Sequence, residues 1–177
     1  MLMKCSLWFL YGLPLVQNDN ILVTITNGIG FLIQVIYLVL FLIYCGDELQ
    51  SQTIWHCLGF EFVFVFFFYG VTLGVIESLP SRHTFIGVVC NVFTIVMYAT
   101  FVMKTMVEKQ SFKCMPDWLS SVSFINATIW TAYSVVYKID IYLLISNGLE
   151  ALLCAWLLIV NALQHTTTEV NYAGATV

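Results

Sequence analysis

The sequence is poor in charge. Asp, Glu, Lys and Arg make up 9% of its 177 residues, and just six residues are Lys or Arg. A soluble domain carries about 25% charged residues, so a water-facing globular surface is excluded. The six cations are scattered without a patch, which removes nucleic acid as a partner. Three histidines stand apart, and six cysteines contain no Cys-x-x-Cys pair. Neither a metal ligand set nor a disulfide framework is indicated. No Gly-x-Ser-x-Gly, paired aspartates or His/Glu metal motif occurs, so the chain is expected to be no enzyme and to use no cofactor.

What remains is apolar. The chain is 60% hydrophobic and 16% aromatic, with a mean hydropathy of +0.92. Residues 20–46, 84–103 and 118–137 carry no charge, and 62–76 and 151–168 each follow a single carboxylate. About 20 such residues at 1.5 Å rise cross the hydrocarbon core. The pattern predicts helices over 21–44, 54–76, 84–107, 117–137 and 142–164. An apolar run over 5–16 is too short to span and reads as the back half of a helix. The loops between are short, leaving no room for an extramembrane module. The polar end, QHTTTEVNYAGATV, is expected to be unordered.

Two apolar runs contain an Asn-Gly pair, LVTITNGIG at 22–30 and LLISNGLEA at 143–151. Set in register, the preceding helices match as well. Trp8, Tyr11 and Asn27-Gly28 answer to Trp130, Tyr133 and Asn147-Gly148, and Asp19 and Asp140 mark the loops between. This order predicts an internal duplication. Three membrane crossings separate the two Asn-bearing helices, so the copies run the same way. A three-helix unit needs one linker helix for its duplicate to point alike. The expected fold is therefore all-α and membrane-embedded, with parallel three-helix repeats joined by a linker helix. The first helix and the start of the second are expected to be absent. Residues 1–53 then form the remainder of the first repeat, 54–83 the linker helix and loop, 84–164 the second repeat, and 165–177 a cytoplasmic tail. Lys4, Lys104, Lys109 and Lys113 lie on one side and Arg82 and Lys138 on the other. The positive-inside rule puts the chain start, the 108–116 loop and the tail in the cytoplasm. Parallel repeats with a site at their interface are a transporter plan.

The stretches LWFLYGLPLV, TITNGIG, MYAT, VMKTMVEKQSFKCMP, NATIWTAY and SNGL resemble the SWEET family of sugar transporters, in its plant branch. The resemblance runs from residue 7 to about 160 and implies the same 3+1+3 plan. It implies bidirectional facilitative transport of mono- or disaccharides, as a uniporter working by alternating access in the plasma membrane or an intracellular one. Partners would be glucose, another hexose or sucrose, the lipid bilayer, and copies of itself or other family members. It also implies the site. Asn27 and Asn147 would reach the sugar from the two halves, with Trp8 and Trp130 stacking against its ring. Asn126, Val96 and Ala99 would line the pocket, and Pro116 would act as a hinge.

An amide suits a sugar because it both donates and accepts hydrogen bonds. Each Asn lies six residues into its predicted helix, about 9 Å deep. The alternative role is glue between helices, contributing roughly 0.6–2 kcal/mol. Several positions depart from the family pattern: Thr100-Phe101 where Ser-Pro is expected, Ser146 in place of a proline, and Glu150 in place of a glycine. Glu150 is expected to be protonated or to face water, because an ion at mid-membrane costs about 2.5–3.5 kcal/mol or more. Glu61 is expected to serve structure. A second function stays open, in which the chain does not transport but assembles with intact transporters and modulates them.

Overall fold

The computed structural model describes residues 2–18, 20–44, 48–107, 117–137 and 139–175, and every regular element in them is helical. The order is α1 (Leu2–Tyr11), α2 (Ile21–Tyr44), α3 (Glu48–Gly70) with a π turn over Val71–Val75, α4 (Leu79–Val107), α5 (Asp117–Val136) and α6 (Ile141–Ala175). The chain divides into two compact units, Met1–Phe93 and Thr94–Val177, so the first half of α4 belongs to one and its second half to the other. Among the described residues, four helices are long and apolar enough to cross a membrane: α2, α3 with its π turn, α4 as far as Thr100, and α6 as far as Val160. α5 is not among them. Seven Ser, Thr and Asn between Ser120 and Ser134 lower its hydropathy.

In the first unit, α1 and α2 form a hairpin built on a close approach at Gly12. A Cβ there would lie 2.5 Å from Thr24 Oγ1, 2.7 Å from Thr24 N and 3.0 Å from Asn20 O. Leu7, Leu10, Tyr11, Val16 and Val23 fill this corner and are buried. α3 joins α1 through Tyr69, whose hydroxyl donates to Ser6 O at 2.9 Å. On α3, Phe64 meets Phe93 of α4 edge to face at 4.9 Å between centroids, and Phe68 lies 6.0 Å from Phe85.

Where the linker helix ends, the backbone widens into i→i+5 bonding, with Ile76 N donating to Val71 O at 3.2 Å. A widened turn leaves carbonyls poorly satisfied. Arg82 serves them, donating from Nε to Ile76 O at 2.6 Å and from Nη2 to Leu73 O at 3.2 Å. Its Nη1 reaches Leu15 O at 3.2 Å, tying the end of the α1 hairpin to the linker turn.

In the second unit, α5 and α6 form the corresponding hairpin. Ala127, Ser134, Leu143, Cys154 and Leu157 are buried in it. Asp140 caps α6, its Oδ1 accepting from the backbone N–H groups of Tyr142 and Leu143, each at 3.2 Å. This is an N-cap at the positive end of a helix.

Helix ends differ from expectation in three places. α3 begins at Glu48 rather than residue 54, because Glu48 is an acidic residue in a first turn, where it complements the helix dipole. α4 begins at Leu79 rather than 84. Ser78 stands before it, its Oγ accepting from Ser81 N at 3.4 Å, and Pro80 is tolerated within the first turn. The stretch expected as an unordered tail is helical through Ala175. Extending an existing helix needs no new nucleus, so polar residues can follow the apolar ones.

Candidate functional site

The Asn-Gly pair repeats as structure as well as sequence. Asn27 Nδ2 donates to Val23 O at 2.8 Å, and Asn147 Nδ2 donates to Leu143 O at 2.9 Å. Each amide thus bonds the carbonyl one turn back in its own helix. The residue before it does the same. Thr26 Oγ1 reaches Leu22 O at 2.8 Å and Val23 O at 3.2 Å; Ser146 Oγ reaches Tyr142 O at 2.9 Å and Leu143 O at 3.2 Å. Two consecutive residues therefore adopt one arrangement in both units. Among the described residues, the amide hydrogen bonds of Asn27 and Asn147 stay within their own helices. Both side chains are half-buried.

The back-bonding hydroxyls also bear on Ser146, which stands where a proline was expected. A hydroxyl bonded to the i−4 carbonyl weakens and often bends a helix. Two such turns, at Thr26 and Ser146, place a soft point immediately before each Asn.

The Trp-Tyr pairs match equally well. Trp8 and Tyr11 pack edge to face at 5.1 Å and 71°, and Trp130 and Tyr133 at 5.4 Å and 75°. Their surroundings differ. Trp8 is 4% exposed and Tyr11 fully buried, with the Tyr11 hydroxyl 2.6 Å from His83 Nε2. Trp130 is half-buried, and Tyr133 stacks on Tyr137 at 5.2 Å. Of the two paired indoles, Trp130 alone has a partly open ring.

The other expected lining residues are Asn126 on α5 and Val96 and Ala99 on α4, and all three are exposed. Pro116 lies outside the described residues. The glycines after the two Asn are not equivalent: a Cβ on Gly28 would meet the Phe9 ring at 3.2 Å, whereas one on Gly148 would meet nothing within 4 Å. Gly28 serves helix contact, and Gly148 leaves space beside Asn147.

Three features escaped the sequence reading. Asp19 lies outside the described residues, and the position that matches Asp140 is held by Asn20. Asn20 directly precedes α2 as Asp140 precedes α6, is buried like it, and stands seven residues before its Asn-Gly. Equal spacing to the Asn would have found it. His83, read as isolated, partners Tyr11 through the fold alone. Glu150 is half-buried on α6. Glu61 lines a crevice of about 370 Å³ in the first unit, with Ser6, Phe31 and Tyr69 also in its wall. Neither Trp8 nor Asn27 lines that crevice.

Comparison with known proteins agrees with the duplication. A family model described as "Sugar efflux transporter for intercellular exchange" matches the chain twice, over residues 1–49 and 84–164. The bidirectional sugar transporter SWEET8 of Arabidopsis thaliana is 39% identical over 171 residues, covering 94% of this chain and 71% of the relative. SWEET7 of the same plant is 35% identical, covering 95% of this chain and 66% of the relative. The chain thus spans about two thirds of the length of such relatives. A solved eukaryotic SWEET transporter superposes with a TM-score of 0.82 at 27% identity, covering 93% of this chain and 77% of that one.

Proposed function

The chain belongs to the SWEET family of sugar transporters, and from that premise we propose that it carries a mono- or disaccharide across the plasma membrane, in either direction, by alternating access. The Asn27 and Asn147 amides and the Trp130 face are taken to contact the sugar. Trp8, Asn126, Val96 and Ala99 complete the proposed lining, and Pro116 serves as hinge.

One observation carries the reading: the two Asn-Gly turns share a single hydrogen-bond arrangement, to within 0.1 Å. Each Nδ2 is held by a backbone carbonyl, which orients the rest of the amide without a partner helix. Interhelical glue would need a bond across helices, and neither amide makes one among the described residues. A pre-oriented amide offers an acceptor and a second N–H to hydroxyl groups at little cost in rotamer entropy. An open indole face, as at Trp130, suits the C–H side of a pyranose. The soft turns at Thr26 and Ser146 allow each helix to bend just before its binding residue.

Uptake of radiolabelled glucose into liposomes holding this chain tests the reading. Saturable uptake, and counterflow when the liposomes are preloaded, are the expected results. Asn147→Ala and Trp130→Ala should each abolish uptake while the protein still inserts. Undiminished flux in both removes the site assignment. No uptake by the chain alone, with altered flux when it is co-expressed with an intact family member, would make it a modulator instead.

A further inference from the structure

Between Glu48 and Glu77 the linker segment carries one carboxyl, that of Glu61. It lies eight residues beyond Thr53, about 12 Å along the helix and below the level of lipid headgroups. A carboxyl at this depth requires a partner or a route to water. A carboxyl kept for structure would bond a neighbouring helix. Among the described residues, no hydrogen bond or ion pair reaches Glu61.

What it has instead is space. Leu58, Glu61, Phe62, Val65, Phe66 and Tyr69 recur at steps of three and four, so one face of α3 lines the crevice of about 370 Å³. Across from it stand Ser6 of α1 and Phe31 of α2. The Tyr69 hydroxyl is already spent on Ser6 O, at 2.9 Å. Phe62 and Phe66 pack together at 4.4 Å between centroids, and each is 62% exposed. The crevice therefore opens sideways, toward the bilayer.

These features restrict the occupant. A cavity of about 150 Å³ takes one benzene ring, so this crevice has room for two joined rings and a short arm. Its aromatic walls attract both rings and cations. An ionised carboxyl only accepts hydrogen bonds, so an N–H cation complements it and an anion is repelled. A phospholipid amine is tethered to its own phosphate at the interface, above the level of Glu61. We propose that the crevice is a second binding site, for a lipophilic ammonium with an aromatic body, and that Glu61 is its counter-ion. The body stacks against Phe31, Phe62 and Phe66, and the ammonium donates to the Glu61 carboxylate. Neither Trp8 nor Asn27 borders this site, and it does not rest on the uniport reading.

Naphthylmethylammonium is the probe, with naphthylmethanol as a neutral molecule of the same shape. The full chain is held in phosphatidylcholine nanodiscs, and naphthalene fluorescence anisotropy is read against empty nanodiscs. The expected result is saturable binding of the ammonium, about tenfold or more tighter than that of the alcohol. Glu61→Gln keeps the size and removes the charge. It should weaken ammonium binding about tenfold or more, the size of a lost charged hydrogen bond, with melting temperature held. Phe62→Leu should weaken it severalfold by removing one ring face. Equal binding of the alcohol overturns the proposal and makes the crevice a seat for an apolar chain. Absence of saturable binding above the empty nanodisc overturns it, and so does undiminished binding by Glu61→Gln. Should Glu61→Gln lose its fold, the site is located on the unsubstituted chain by dicyclohexylcarbodiimide labelling of Glu61, read by mass spectrometry. Protection by the ammonium and not the alcohol is then expected, and labelling undiminished by the ammonium overturns the proposal.

Discussion

Replacing glycines by alanine along the two Asn-bearing hairpins should give effects of opposite sign. At Gly12 the added methyl would sit 2.5 Å from Thr24 Oγ1 and 2.7 Å from Thr24 N. Ordinary carbon contacts lie at about 3.5–4.0 Å, so α1 and α2 must separate by roughly 1 Å. The Thr24 hydroxyl can rotate away, but the Thr24 N–H is backbone and cannot. Overpacking of this kind costs about 1–3 kcal/mol, equivalent to a fall of roughly 2–12 °C in melting temperature for a chain of this size. Gly28→Ala meets only the edge of the Phe9 ring, at 3.2 Å, and the ring can give way, so its loss should be smaller. Gly148→Ala meets nothing within 4 Å. It gains helix propensity of about 0.8–1.0 kcal/mol and should melt higher. Thermal unfolding in detergent, followed by circular dichroism, ranks the three. If Gly12→Ala melts with the unsubstituted chain, or Gly148→Ala melts below it, the two hairpins are not packed as described here.

Arg82→Met should destabilise the first unit, because three backbone carbonyls lose a charged donor worth about 1.5–3 kcal/mol per bond; Arg82→Lys should recover part of this, as one ammonium cannot match the fork geometry, and melting temperature checks both. Asp140→Ala removes the α6 cap and should cost about 0.5–2 kcal/mol, with Asp140→Asn recovering most of it. Trp130→Phe should keep part of the uptake that Trp130→Ala loses, raising half-saturation more than it lowers maximal rate, because a flat face remains to meet the sugar in the proposed site.

The membrane class and the two hairpins are legible in the sequence because long uncharged runs and short loops leave few alternatives. The Asn-Gly and Trp-Tyr registers carry the duplication, and each reappears as matched geometry. What escapes the sequence depends on the third dimension or on local backbone choice. Helix starts at Glu48 and Leu79 are set by first-turn chemistry that hydropathy does not weigh. The widened turn at Val71–Val75 leaves no mark in the residue pattern, and neither does the reach of Arg82 to its carbonyls. The partly polar α5 reads as a span by lack of charge, yet its Ser, Thr and Asn keep it below the hydropathy of its neighbours. The unequal burial of Trp8 and Trp130 is invisible in a motif that is identical in both copies.

In the proposed site, the arrangement of the amides would bear on how tightly a sugar is held. An unconstrained Asn would lose rotamer freedom on binding and could form all its bonds at once. Here one N–H of each amide is already committed to a backbone carbonyl, at 2.8 Å for Asn27 and 2.9 Å for Asn147. The commitment lowers the entropic cost of binding and also caps the number of bonds each amide gives the sugar. Each remaining bond contributes only about 0.5–1.5 kcal/mol net, because the sugar exchanges it for one to water. As proposed, two such amides and one indole face would amount to a few kcal/mol, near the −4 kcal/mol of a millimolar dissociation constant. A carrier that must release its cargo on the far side needs affinity in that range. Substitutions that free the amides, by removing their access to the Val23 and Leu143 carbonyls, should therefore alter selectivity among sugars more than they tighten binding.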